Sequence, residues 1–355
     1  MKIYMAPLEG VTGYVFRNAF EEYYGKGRID KYFIPFISPN KSKGYTTREQ
    51  ADIAPEHNAG INVVPQVMAN DEGLFLEAAA MLKELGYSEI NLNLGCPSGT
   101  VVSKYRGAGF LAKQRELDIF LDKVLSSPQM KDMRMSVKTR TGMESHEEFK
   151  LLMAIYGDYP LSEIIIHPRV RTDYYKNSPD MDIFRWAVGE SSVPISYNGD
   201  IFRIKDYVKL VEEFPDIDSV MIGRGFVGNQ RLINQIADLS IDNTDNGQNH
   251  DKIRCEQIAD NTGSELIHNK VDFTHDDLLG EHDMATLEKF TGRLLRDYIS
   301  IMDSEVNAMH KMKEVWIYIN QFNPGHEKAF KKIKKSRNLT DYQNGVREFF
   351  DGRQI

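Results

Sequence analysis

The chain has 355 residues, 41% of them hydrophobic and 27% charged, with a formal net charge of -8. That length fits a barrel with an appendage, the apolar share supports a real core, and two cysteines far apart make no disulfide framework, which suits a reducing cytoplasm. No signal peptide precedes the first apolar strand and no apolar run approaches the ~18 residues of a membrane span, so no membrane partner is expected.

Eight short β-rich runs follow one another up to about residue 235: Ile3-Ala6, Tyr32-Phe36, Ile61-Val67, Glu89-Leu94, Arg134-Thr139, Glu163-His167, Val193-Tyr197 and Ser219-Ile222. Their spacing of about 25 to 45 residues is that of a βα unit. Helical periodicity lies between them, as in Leu74-Leu85, Glu116-Leu125, Glu147-Tyr156 and Lys205-Phe214. Eight parallel strands with eight crossovers predict a TIM (β/α)8 barrel over residues 1–240. The rival, a doubly wound sheet, usually carries a glycine-rich phosphate loop after its first strand, where this chain has Pro7-Leu8-Glu9-Gly10. Residues 241–282 are rich in Asp, Asn, Gly and His without sustained periodicity and read as a polar linker or insertion. The helical period returns over 283–355. Val306, Met309, Met312, Val315, Trp316 and Ile319 form one apolar stripe, and further helices fit 324–336 and 339–350, a small C-terminal α-helical domain. Charge is uneven: residues 283–355 carry a net +3, residues 241–282 a net -7 and the barrel about -4. A local basic surface can act on a polyanion even when the total is acidic.

In a barrel of this kind chemistry sits at the C-terminal strand ends. Those ends carry Ala6-Pro7, Gln66-Val67-Met68, Asn93 with Cys96, Lys138-Thr139-Arg140, His167-Pro168-Arg169, Asn198-Gly199-Asp200 and Gly223-Arg224-Gly225. The Cys96 thiol, held between Gly95 and Pro97 after the fourth strand, is placed to exchange a proton with a bound substrate; the alternative is a buried, inert cysteine. Gly199, Gly223 and Gly225 with Arg224 suit a phosphate site after strands seven and eight, or only tight turns. An inward Lys138 needs a partner, since an unpaired buried ammonium is costly. The N1–C2=O edge of a flavin would supply one, and Gln66 can read that ring's uracil-like edge with both donor and acceptor. His167 contacts phosphate or substrate, or is a satisfied core histidine.

Six stretches together resemble the tRNA-dihydrouridine synthases. They are Ala6-Pro7-Leu8-Glu9-Gly10-Val11-Thr12, Asn93-Leu94-Gly95-Cys96-Pro97, Val101-Val102-Ser103-Lys104 through Gly107-Ala108-Gly109, Lys138-Thr139-Arg140-Thr141-Gly142, Asn198-Gly199-Asp200-Ile201 and Met221-Ile222-Gly223-Arg224-Gly225. The chain departs from the pattern at Leu8-Glu9, Gly13 and Pro168, where Met-Ala, Asp and Gly are commoner. The resemblance implies an FMN flavoprotein that reduces uridine in tRNA with NADPH or NADH, its C-terminal helical domain holding the RNA. It implies Pro7, Leu8, Glu9, Gln66, Lys138, His167, Asn198, Gly199, Asp200, Gly223 and Arg224 around FMN, Cys96 as proton donor, and Asn93 orienting the base. Arg140 and Arg169 are expected to contact substrate. Lys328, Lys331, Lys332 and Lys335 fall on one helix face, with Phe330 and Ile333 turned to the core, and are expected to contact tRNA phosphates or to be a solvated face. No obligate protein partner is indicated. The rival function is an FMN enzyme of a free pyrimidine, in the style of dihydroorotate or dihydropyrimidine dehydrogenases, which would not need the basic C-terminal domain.

Overall fold

A computed structural model describes residues 1–40, 44–245 and 281–351. Eight parallel strands close into a barrel in sequence order: β1 (Lys2–Met5), β2 (Lys31–Ile37), β3 (Val63–Val67), β4 (Glu89–Leu94), β5 (Arg134–Arg140), β6 (Glu163–His167), β7 (Ile195–Tyr197) and β8 (Ser219–Ile222). The expected TIM barrel is therefore the fold. Two strands start later than the sequence suggests. β7 begins after Pro194, which has no N–H to give a ladder, and β3 begins at Val63 instead of Ile61. Within β2, Pro35 falls in the register shift between Ile34 and Ile37.

Side chains alternate between the helix layer and the lumen. Tyr4, Ala6, Phe33, Val64, Ile165 and Met221 fill the middle of the lumen as an apolar cluster of their own. Below them Lys31 reaches Glu89 at 2.7 Å, and Arg134 reaches the same carboxylate at 3.0 Å. The outward residues of the same strands pack on the surrounding helices in the main core. Helix starts follow local chemistry: a reciprocal Thr46–Glu49 capping box opens Thr47–Ile53, and Asp71 accepts from Leu74 N at 2.9 Å to open Glu72–Glu84.

The C-terminal helices Glu281–Ile301, Glu305–Gln321, Glu327–Lys335 and Leu339–Asp351 pack onto the barrel. Phe290 meets Phe16 edge-on at 5.6 Å between ring centroids, and Gly228 leaves room for the ring of Phe322, which a Cβ there would meet at 2.3 Å. Met309, Met312, Val315, Trp316 and Ile319 are buried as the stripe predicts, and Trp316 Nε1 donates to the Tyr342 hydroxyl at 2.7 Å. Val306 is a correction: it is 43% exposed, in the first turn after the Ser304 cap. The expected polar linker overlaps the end of the helix Leu232–Asp245, and residues 246–280, Cys255 among them, lie outside the described residues. Among the described residues no helix is long and apolar enough to cross a membrane.

Candidate active site

The inward alternation brings Ala6, Gln66, Asn93, Lys138, His167, Asn198 and Gly223 to the top of the lumen, where they line one open pocket. Pro7, Leu8, Glu9, Phe36, Cys96, Arg140, Gly199 and Arg224 complete its walls, together with Tyr175. Most of the residues expected to hold cofactor or substrate thus converge in the structure.

The loop carrying Cys96 is fixed from below. Asn93 Oδ1 accepts from the backbone N–H of Gly95 at 3.1 Å and of Cys96 at 3.0 Å, a local side-chain turn. Asn93 Nδ2 donates to Gln66 Oε1 at 2.7 Å, Gln66 Nε2 to Asn91 Oδ1 at 2.8 Å, and Asn91 Nδ2 to Ser136 Oγ at 2.8 Å. Gln66 keeps one donor and one acceptor site for a ligand. The glycines of the following motif are explained by close approach. Gly107 has φ +54° and a Cβ there would lie 2.9 Å from Cys96 O, while one on Gly109 would lie 2.7 Å from Val102 O. Cys96 is half-buried; burial, with Glu9 nearby adding to it, pushes its thiol above the ordinary range, so it is protonated at neutral pH.

The pocket is cationic. Lys138 has no hydrogen bond or ion pair among the described residues, and burial, reinforced by the Arg140 charge, brings its ammonium down to about 7. His167 is held neutral by burial and by the charges of Arg140, Lys138, Arg169 and Arg224. Arg169 Nη1 lies 3.0 Å from His167 Nε2 and can only donate, so the imidazole proton sits on Nδ1. Glu9 at the rim is ion-paired with Arg48.

Two expected ligands do not line the pocket. Asp200 sits behind Arg224, paired with it and with Arg169, which donates from Nη1 at 2.9 Å. Arg169 is 1% exposed, its donors spent on Asp200, His167 and Asn177 O. Arg140 does line the pocket, although its guanidinium bonds three backbone carbonyls. Lys328, Lys331, Lys332 and Lys335 are exposed together on Glu327–Lys335 and edge a separate groove with Asp341, Asn344 and Glu348; Lys332 is paired with Glu348. Phe330 is half-buried and Ile333 buried beneath them. Sequence reasoning missed Tyr175. It is 45% exposed at the pocket mouth, its ring centroid 4.3 Å from the Arg224 guanidinium carbon and 5.9 Å from the His167 ring. The signal available was an aromatic pair, Tyr174-Tyr175, in a strand-end loop that also carries Arg169 and Arg171.

A sequence profile described as dihydrouridine synthase (Dus) matches residues 4–278. The chain belongs to the dihydrouridine synthase family. It is 30% identical over 232 residues to tRNA-dihydrouridine synthase B of Pasteurella multocida (strain Pm70), covering 65% of this chain and 67% of that protein. It is 28% identical over 242 residues to tRNA-dihydrouridine(16) synthase of Pseudomonas syringae pv. tomato, covering 67% and 75%. Histamine dehydrogenase from Rhizobium sp. 4-9 shares the fold, with a TM-score of 0.50 at 11% identity over 68% of this chain and 46% of that one. This dihydrouridine synthase is a flavin-dependent oxidoreductase. The site's donor set suits a flavin: a lysine without a partner among the described residues, an amide with a spare donor and acceptor, and a neutral histidine whose Nδ1–H can donate.

Proposed function

We propose that this enzyme reduces uridines of tRNA to 5,6-dihydrouridine, with FMN as the flavin and NADPH or NADH as reductant. The observation that carries this reading is the half-buried thiol of Cys96 in the same pocket as Lys138. The flavin, once reduced, supplies the hydride that adds to uracil C6. Cys96 then gives its Sγ proton to C5, a task that suits a thiol kept protonated at neutral pH. Lys138 and Gln66 would hold the flavin ring and help to place it. His167 Nδ1–H, Asn198, Gly199, Gly223 and Arg224 would hold the ribityl phosphate, and Pro7, Leu8 and Glu9, which line the same pocket, would line the FMN. Asp200 and Arg169 act one step back, fixing Arg224 and the His167 tautomer. The target base leaves its stack to enter the pocket, as other base-modifying enzymes require.

In the same proposal residues 1–240 form the FMN-binding catalytic barrel and residues 283–355 the tRNA-binding helical unit, its exposed lysine face meeting the phosphate backbone. The test is to incubate purified enzyme and NADPH with tRNA lacking dihydrouridine, and to map the product by mass spectrometry. Dihydrouridine at defined positions is expected. Turnover of free uracil or dihydroorotate as fast as of tRNA, with no modified tRNA, overturns the reading in favour of a free-pyrimidine enzyme.

A further inference from the structure

Two loops that flank the candidate proton donor are joined by one buried side chain. Arg140, at the end of β5, is 1% exposed. Its Nε donates to Gly95 O at 3.0 Å, its Nη1 to Val170 O at 2.9 Å and its Nη2 to Tyr174 O at 2.8 Å. Gly95 immediately precedes Cys96. Val170 and Tyr174 bound the turn after β6 that delivers Tyr175 to the pocket mouth. That turn has a feature that needs holding: Tyr174 has φ +52°, a conformation costly for a bulky side chain. The Arg140 bond to its carbonyl restrains it from beneath, and the Arg171 guanidinium packs over its ring at 5.1 Å. From the solvent side Asp173 Oδ2 accepts from Val170 N at 3.0 Å.

We propose that Arg140 is a positioning residue that couples the Cys96 loop to the Tyr174–Tyr175 loop, so that the thiol and the aromatic wall of the pocket hold their places together. The planar guanidinium is suited to this, because its donors point in fixed directions toward three separate acceptors. Lysine, a single mobile ammonium, cannot serve carbonyls from both loops in the same way. The proposal deepens the reading of Cys96 as proton donor, on which its kinetic consequence rests; its structural consequence does not depend on the reaction.

Hydrogen exchange by mass spectrometry on the flavin-loaded enzyme, without tRNA, reads the coupling directly. In Arg140→Lys the segments 94–98 and 170–176 should both exchange about tenfold faster, with the rest of the barrel unchanged. Single-turnover reduction of tRNA should slow by a similar factor while tRNA affinity stays within about twofold. Wild-type exchange in both segments with a raised KM for tRNA would make Arg140 a substrate ligand and overturn the proposal. Loosening of only one segment overturns it as well. Asp173→Ala removes the solvent-side tie and keeps the three Arg140 hydrogen bonds, so it reports even where Arg140→Lys does not fold. It should loosen 170–176 and also raise the rate of Cys96 alkylation by iodoacetamide about threefold. An unchanged alkylation rate in a loosened loop denies the link. Loosening of both segments with single-turnover reduction of tRNA at the wild-type rate would leave the coupling standing and count instead against the proton-donor reading of Cys96.

Discussion

Replacing Lys138 by Met removes a cation that has no ion pair among the described residues. The side chain is half-buried in the pocket wall, and burial with Arg140 nearby brings its ammonium from 10.5 to about 7. In the unfolded chain Lys138 stays protonated up to 10.5, so between about 7 and 10.5 the unfolded state binds more protons than the folded one. Stability therefore rises with pH across that window, and the full penalty is present below it. The slope is bounded by ~1.4 kcal/mol per pH unit, which caps the effect near ~5 kcal/mol. The pocket is open to water, and solvent screening brings the expected value to ~2 kcal/mol. Flavin-stripped Lys138→Met should thus melt a few degrees above the wild type at pH 6.5, by about 2–4 °C per kcal/mol at most for a chain this large. The gap should close toward pH 10. Adding FMN should reverse it, because the wild type then gains a partner for its ammonium and is stabilised by mass action. Differential scanning calorimetry across pH, with and without FMN, measures all three. A flavin-stripped variant no more stable than the wild type at pH 6.5 would refute the claim that this lysine is strained until a ligand meets it.

Cys96→Ala should keep flavin binding and NADPH oxidation but lose dihydrouridine formation by about 10²–10⁴-fold in single-turnover assays, the usual worth of a general acid. Because burial raises the Cys96 thiol, the wild-type single-turnover rate should hold up to at least the ordinary thiol value of 9.0 and fall only above it; a basic limb near pH 7 would remove this thiol from the role. Replacing Lys328, Lys331, Lys332 and Lys335 together by Gln should weaken tRNA binding and leave reduction of the flavin by NADPH intact. Since Lys332 is already paired with Glu348, the log–log salt slope should flatten by about two to three units, at ~0.7–0.9 per phosphate contact; an unchanged slope makes the face merely solvated.

The barrel and the pocket floor were legible because both follow from one periodicity. Once β3 to β8 are located, every second residue must face the lumen, and the last inward residue of each strand must sit at the rim. Gln66, Asn93, Lys138 and His167 are inward residues at or near the ends of their strands, and Asn198 and Gly223 continue the alternation one residue past β7 and β8; all six line the pocket. What the sequence could not give is the direction in which a long side chain spends its donors. Arg140 and Arg169 sit at equivalent-looking strand ends, yet one reaches carbonyls of two loops and the other a carboxylate and a ring nitrogen. Those acceptors are up to 45 residues away in the chain, as Gly95 is from Arg140, and no local pattern encodes them. Tyr175 was missed for the same reason: its loop has no period, and its place depends on Arg140 and Arg224 beneath it. Val306 shows the opposite failure, a periodic position that stays exposed.

The cations of the site divide by what they already hold. Arg140, Arg169 and Arg224 are committed to backbone carbonyls or to Asp200, so their charge is fixed in place before any ligand arrives. That fixed charge does two further things. After burial, the larger cause, it helps to keep His167 neutral, which leaves Nδ1–H as a directional donor instead of a second mobile charge. It also disfavours the ammonium of Lys138, the one pocket lysine with no protein partner among the described residues, so that an electron-rich ring edge gains more from meeting Lys138 than it would from meeting a paired lysine. A carboxylate inside the pocket would cancel both effects. Glu9, the carboxylate on the pocket wall, is instead drawn to the rim by Arg48. The division of labour among the charged groups thus follows from hydrogen bonds formed on folding, and it leaves the acceptor-seeking groups, Lys138, Gln66 and His167, facing the same space as the Cys96 thiol.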